Sequence, residues 1–198
     1  MRDERLDRWL DELVSTPGLT SVSDPAAAMR LHLDDALVAA SLLEDGPVVD
    51  VGSGGGSPGI PLAAARPELR FDLLESVRKK CDFLRRWAEQ FDNVAVVCDR
   101  AEDHGRSAGR DAYGTALARA LAPPPVAAEW CLPLLRPGGR AILFVGPSGD
   151  ADAVAKAARK IAGELEETTP GFLLLRKVGP TPDRFPRRPG LARKRPLA

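Results

Sequence analysis

Glycine fills five of the eight positions from Gly52 to Gly59, directly after the apolar run Val48-Val49-Asp50-Val51. A short apolar run ended by turn residues suits a parallel strand buried on both faces. Pro58 suits the entry to a helix, and residues 60–65 carry the apolar pattern onward. Strand, glycine turn and helix in this order open an α/β unit, in which ligands bind beyond the carboxyl ends of strands. The downstream pattern agrees. Apolar runs predict strands over 69–74, 94–98, 114–118, 141–145 and 172–178, and amphipathic spacing predicts helices over 77–91, 125–135 and 150–163. Alternating strands and helices imply an α/β fold with a mostly parallel sheet.

Upstream, Leu6, Trp9, Leu10 and Leu13 share one face of a helix that stops at Pro17-Gly18. Asp24 as N-cap and Pro25 as first residue start a second helical stretch through Leu42. The chain divides into an N-terminal helical cap (1–46), a core (47–178) and a basic Pro/Arg-rich tail (179–198). Eight of the 28 basic residues but only Asp183 of the 28 acidic ones lie from Arg176 onward, which leaves a net charge of −7 on the rest. Such asymmetry suits a polyanionic partner met at one place. No apolar run is long enough to span a bilayer and the N-terminus lacks a signal-peptide segment, which predicts a cytoplasmic protein. Cys81, Cys98 and Cys131 are expected to be three separate thiols in a reducing compartment, and with only His32 and His104 no metal site is expected.

The glycine loop admits three readings. A bare tight turn uses more glycine than it needs. Gly54-x-Gly56-x-x-Gly59 fits dinucleotide spacing, a pattern that glycine-rich loops meet by chance. Asp50 followed by Gly52-x-Gly54-x-Gly56 fits the S-adenosylmethionine loop of Rossmann-like methyltransferases. Glu75, ending the second strand, is placed to accept ribose hydroxyls in either nucleotide reading. The polar end of the third strand, Asp99-Arg100-Ala101-Glu102, lies where an adenine edge would enter and favours S-adenosylmethionine. No Gly-Lys-Ser/Thr follows, so a P-loop is excluded.

The segment Val49-Asp-Val-Gly-Ser-Gly-Gly-Gly-Ser-Pro-Gly-Ile-Pro-Leu-Ala63 closely resembles the cofactor loop of the bacterial 16S rRNA guanine-N7 methyltransferase family, also called glucose-inhibited division protein B. The resemblance extends to Leu19-Thr20-Ser21-Val22, His32-x-x-Asp35, Leu74-Glu75-Ser76 with Lys79-Lys80, Arg100-Ala101-Glu102, Ala118-Arg119-Ala120 and Phe185-Pro186-Arg187-Arg188-x-Gly190. It spans about residues 19–197. It implies a seven-stranded, class I methyltransferase sheet, mostly parallel with an antiparallel last strand, under a small N-terminal helical cap. It implies S-adenosylmethionine as cofactor, held at Gly52, Ser57, Ala101, Glu102 and Arg119, to which the reading of the loop and second strand adds Gly54, Gly56 and Glu75. Substrate or RNA contacts would fall to His32, Asp35, Lys79, Lys80, Arg184, Arg187 and Arg188. The implied partner is ribosomal RNA or the small ribosomal subunit, met by a monomer. Ser57 stands where the family usually has Phe or Leu, Gly18 where it has Asn, Ala36 where it has Ser, and Tyr113-Gly114 where it has Phe-Asp. These departures leave open a divergent paralogue acting on a small molecule, or a non-catalytic cofactor- or RNA-binding protein.

Guanine N7 presents an in-plane lone pair with no proton to remove, so transfer to it needs positioning more than a general base. The sequence offers no acid–base dyad, and the motifs of exocyclic-amine and cytosine-C5 methylation are missing: Pro123-Pro124-Pro125 lacks the Asn/Asp and the aromatic, and Cys131 lacks the preceding proline. His104 and Trp130 are expected to be local structure only. The prolines of the tail predict an extended, stiff basic strip that contributes to RNA affinity and not to cofactor affinity. The alternative is that Phe185 and the prolines pack the tail on the sheet.

Overall fold

The structure is a computed structural model and describes residues 3–146 and 149–198. Helix α1 (Glu4–Ser15) is capped by Asp3 and buries Leu6, Trp9, Leu10 and Leu13 on the stripe that the spacing predicts. Asp24 caps α2 (Pro25–Met29) through a 2.7 Å bond from the Ala27 amide. The following helical stretch is not uniform: it widens into a π-helical turn over Arg30–Asp34, returns to α3 (Asp35–Val38) and tightens to 3₁₀ over Ala39–Leu42. Such π turns concentrate at functional sites.

The sheet begins with β1 (Val48–Val51), whose four residues are all buried. After the glycine turn come α4 (Gly59–Ala65), β2 (Phe71–Glu75), α5 (Arg78–Ala88) and β3 (Val94–Cys98). Then follow α6 (Ala101–His104), β4 (Tyr113–Arg119), α7 (Pro124–Cys131), β5 (Leu135–Phe144), α8 (Ala151–Arg159), β6 (Gly163–Thr169), β7 (Phe172–Lys177) and α9 (Leu191–Lys194). The seven strands lie in the order β3-β2-β1-β4-β5-β7-β6. The first five are parallel, and β7 runs antiparallel to both β5 and β6. The order turns back between β1 and β4, so the glycine loop leaves β1 at the switch point where open α/β sheets form their crevice.

Strand β6 and the cysteines differ from the sequence reading. Strand β6 lies where the pattern shows only the end of a helix. It is the edge strand, its exposed positions carry Glu164 and Glu167, and Glu166 pairs with Arg140 and Arg176, so no apolar run marks it. Cys81 and Cys98 form a disulfide, with Cα atoms 5.8 Å apart, instead of standing as separate thiols. Sheet register places Cys98 beside Glu75, and α5 returns Cys81 to the same spot. Cys131 alone is free and buried, and burial raises its thiol pKa. No described helix is long and apolar enough to cross a membrane.

The core covers both sheet faces. One cluster joins α1 to Ile60, Leu73, Phe83, Leu84 and Trp87, so the N-terminal helix closes over α4 and α5. The other face is built on α7, α8 and Leu143, Leu173 and Leu175 of the sheet. This second cluster includes Phe185 and Ala192. The tail is therefore docked, with α9 at its end, and is not an extended strip.

Candidate functional site

The loop after β1 is built by its own backbone. The amides of Gly52 and Ser53 both donate to the Leu74 carbonyl, at 2.8 and 3.0 Å, and that of Gly56 donates to the Ser53 carbonyl at 2.7 Å. Gly52 has φ +71°, and a Cβ there would collide with the Leu121 side chain, so this position requires glycine on two counts. Asp50 is buried under the loop. Its carboxylate accepts from the Ser53 hydroxyl at 2.5 Å and the Gly59 amide at 3.1 Å, and burial pushes its pKa up to about 6. Trp9 of α1 pins the loop from outside by donating to the Gly55 carbonyl at 2.9 Å.

Glu75 grips the loop from β2. One carboxylate oxygen accepts from the Gly54 amide at 3.0 Å, and the other accepts from the Ser76 and Val77 amides, each at 2.8 Å. A carboxylate offers about four acceptor sites. Three are taken, which leaves one on the oxygen that faces the loop.

Two cavities meet at Gly52. The first, about 330 Å³, is bounded by Gly52, Gly54, Ser57, His32, Lys80 and Arg119. The second, about 300 Å³, is bounded by Gly52, Ser76, Ala101, Glu102, Trp130 and Arg193. Gly56 and Glu75 line neither and shape the loop from behind. Lys79 is exposed and stays outside both cavities, as do Arg184, Arg187 and Arg188.

At the first cavity, Arg119 closes β4 against the π-helical turn. One guanidinium nitrogen donates to the Leu31 carbonyl, and another donates to Nδ1 of His32 at 2.9 Å. Arginine has only hydrogens to give, so Nδ1 is the acceptor. The ring proton therefore sits on Nε2 and is donated to Thr20 Oγ1 at 3.0 Å. Burial, reinforced by the Arg119 charge, pushes the His32 pKa down to about 4. His32 is thus a neutral spacer that holds Arg119 in place. The Ser57 hydroxyl donates to the His32 carbonyl at 2.9 Å, tying the loop to the same turn.

The second cavity shows what the sequence missed. Glu102 is 5% exposed, and one of its oxygens accepts from the Gly190 amide at 3.0 Å. Arg193 lies over the Trp130 ring, 5.3 Å from its centroid, and donates to the Leu121 carbonyl at 2.9 Å. The indole N–H of Trp130 is buried without a partner. Arg187 turns inward, its fork meeting both oxygens of Glu129 at 2.5 Å, and Glu129 is 2% exposed. Arg184 lies on Phe185, while Arg188 is exposed. The tail therefore walls this cavity, where the sequence reading gave it a role toward RNA alone. Trp130 belongs to the same wall. No local sequence signal carries this, because the contacts of Gly190 with Glu102, Arg193 with Leu121 and Arg187 with Glu129 each span tens of residues.

The family model described as rRNA small subunit methyltransferase G (GidB) matches residues 4–172. The ribosomal RNA small subunit methyltransferase G of Synechococcus elongatus is 39% identical over 198 residues, covering 90% of this chain and 82% of the relative. That of Chloroflexus aggregans is 36% identical, covering 98% and 89%. Among solved structures, the O-methyltransferase TomG from Streptomyces achromogenes, in complex with S-adenosylmethionine, superposes with a TM-score of 0.56 at 20% identity over 90% of this chain and 92% of that one. The T. thermophilus 16S rRNA N2 G1207 methyltransferase gives 0.53 at 18% identity, over 75% and 40%. These two likenesses show the fold, and the family model with the curated relatives shows the lineage. The chain belongs to the rRNA small subunit methyltransferase G family.

Proposed function

We propose that this S-adenosylmethionine-dependent rRNA methyltransferase transfers its methyl group to N7 of a guanine in small-subunit rRNA. The observation that carries the placement is the pair of cavities joined over the Cβ-free surface of Gly52. Their chemistry fits the cofactor. Glu75 keeps an acceptor site at the loop for a ribose hydroxyl. Ala101 and Glu102, beside the orphaned Trp130 N–H, suit the adenine end. Gly52, Gly54, Ser57 and Arg119 surround the methionine end, and Gly56 sets the turn.

When bound, S-adenosylmethionine supplies a methyl group on a positively charged sulfur. The residues around it need only align donor and acceptor, because a guanine N7 lone pair requires no base. The side chains agree with that demand. His32 is neutral with both ring nitrogens engaged, Asp50 is consumed by the loop, and the Cys131 thiol is buried. Lys80 at the cleft, with Lys79 and Arg188 beyond it, suits phosphate contacts.

The same reading places the enzyme in the cytoplasm with its ribosomal substrate. It acts as a monomer: beyond the cavity walls, Leu37, Val77 and Val178 are the large apolar side chains left exposed among the described residues, too little for a stable dimer interface. Mass mapping of 16S rRNA from a strain lacking the gene tests the proposal. One guanine should lose a methyl group at N7 and regain it on complementation. An unchanged modification pattern would refute the rRNA assignment.

A further inference from the structure

A third cavity, about 510 Å³ and the largest of those along this edge, adjoins the first and shares Leu31, Arg119 and Ala120 with it. It lies between the Leu31–Val38 helical stretch and the ends of β4, β5 and β7. Its volume is ordinary for a small-molecule pocket. We propose that this cavity is the acceptor pocket, holding a guanine turned out of the RNA with its Watson–Crick edge against Asp35. The assignment rests on the rRNA reading above and adds the subsite and the residue that selects the base.

Three observations support it. First, the walls are apolar and flat. Phe144 is half-buried and braced edge-on by Phe172, with ring centroids 4.9 Å apart, while Leu31 and Val38 are 38% and 60% exposed. Folding alone gives no reason to leave such side chains in water around a cavity, whereas bases extruded from RNA are held between surfaces of this kind. Second, Leu31 and Asp35 line the same cavity, Leu31 from within the π-helical turn and Asp35 from the residue that follows it, so the carboxylate borders the cavity that also meets the shared wall. A guanine with N7 at that wall carries its N1–H and N2 amino group across the ring, on the side where Asp35 stands. Third, the Asp35 side chain is exposed, makes no hydrogen bond with a described residue, and acts on Arg119 through its charge alone. A carboxylate accepts from both guanine donors. Adenine in the same pose presents a lone pair at N1 and would be repelled.

Charge flow suits this pose. The N7 lone pair forms the new N–C bond while the C–S bond breaks and its electrons return to sulfur. The sulfur becomes neutral, the purine becomes cationic, and no proton moves. The Asp35 carboxylate then faces a ring that gains positive charge as the bond forms.

The test measures methyl transfer to small subunits purified from a strain lacking the gene, together with calorimetry of S-adenosylhomocysteine binding. Asp35→Asn keeps the shape and replaces one acceptor by a donor; it should lower kcat/KM about 10- to 100-fold. Val38→Trp, at an exposed position, should obstruct the cavity with a similar loss. Cofactor affinity should stay within about twofold in both. An active wild type with both variants matching it would overturn the pocket assignment alone. A wild type that leaves both these subunits and the naked 16S rRNA extracted from them unmodified would overturn the rRNA reading, and the pocket assignment with it.

Discussion

Replacing Arg187 by Met would expose how the tail is held. The guanidinium meets both oxygens of Glu129 at 2.5 Å, and its second nitrogen also donates to the Arg195 carbonyl at 2.8 Å. Glu129 is 2% exposed on α7, so the substitution leaves a carboxylate buried without its countercharge. Removing one partner of a buried pair costs about 3–5 kcal/mol. In a chain of this size each kcal/mol lowers Tm by about 2–4 °C, so a fall of roughly 6–20 °C is expected by differential scanning calorimetry. The double variant Arg187→Met with Glu129→Leu removes the stranded charge and should recover most of that loss. Cofactor binding gives a second readout. The docked tail brings Gly190 to Glu102 and Arg193 to the cavity wall, so S-adenosylhomocysteine should bind several-fold more weakly to the single variant. A Tm within about 2 °C of wild type, with unchanged affinity, would refute the reasoning: the pair would then neither hold the tail nor shape the cavity.

Gly52→Asp should abolish S-adenosylhomocysteine binding in calorimetry, since the new side chain meets Leu121 at a φ of +71°. His32 carries a pH signature. Its pKa is about 4 when folded against an ordinary 6.5, so its contribution, on the order of 3 kcal/mol, is present above pH 6.5 and lost as pH falls toward 4. Asp50 opposes it, because a folded pKa raised to about 6 gives stability that is present below pH 3.8 and lost as pH rises through 6. His32→Gln should therefore turn the urea-derived slope of stability against pH less positive, or negative, between pH 6.5 and 4. Peptide mapping under non-reducing conditions should find Cys81 joined to Cys98. Reduction should cost about 3 kcal/mol of stability for a bond that spans 17 residues of sequence.

The parts of the fold legible in the sequence are those whose cause is local. Strand β3 begins and ends where its apolar run does, at Val94 and Cys98, and β1 is a four-residue run between turns. The glycine loop was legible because close backbone approach leaves only one residue type. What escaped depends on distant neighbours. The Cys81–Cys98 pairing follows from register, which sets Cys98 beside Glu75, and no spacing rule contains that. The neutral state of His32 follows from its burial in the fold, reinforced by Arg119, 87 residues away, donating to its Nδ1. Glu75 reads as a ligand group and Asp50 as part of the loop pattern, yet much of the hydrogen-bonding capacity of both builds the loop itself.

Charge distribution misleads for the same physical reason. The surplus of basic residues from Arg176 onward suggests a surface waiting for a polyanion. In the fold, Arg176 pairs with Glu44 and Glu166, Lys177 is fully buried against Asp111, and Arg187 is locked to Glu129. Every one of these acidic partners lies in the part of the chain that carries the negative excess. The asymmetry is thus largely an internal complementarity that draws the C-terminal segment onto the body and closes one end of the cleft. The charges left for a phosphate backbone are fewer and sit elsewhere: Arg188, Lys194 and Arg195 on the tail, and Lys79 and Lys80 across the cleft mouth. Because counterion release scales with the phosphates actually neutralised, neutralising this smaller set, on both sides of the cleft, is expected to flatten the salt dependence of RNA binding, and an unchanged log–log slope would refute that assignment.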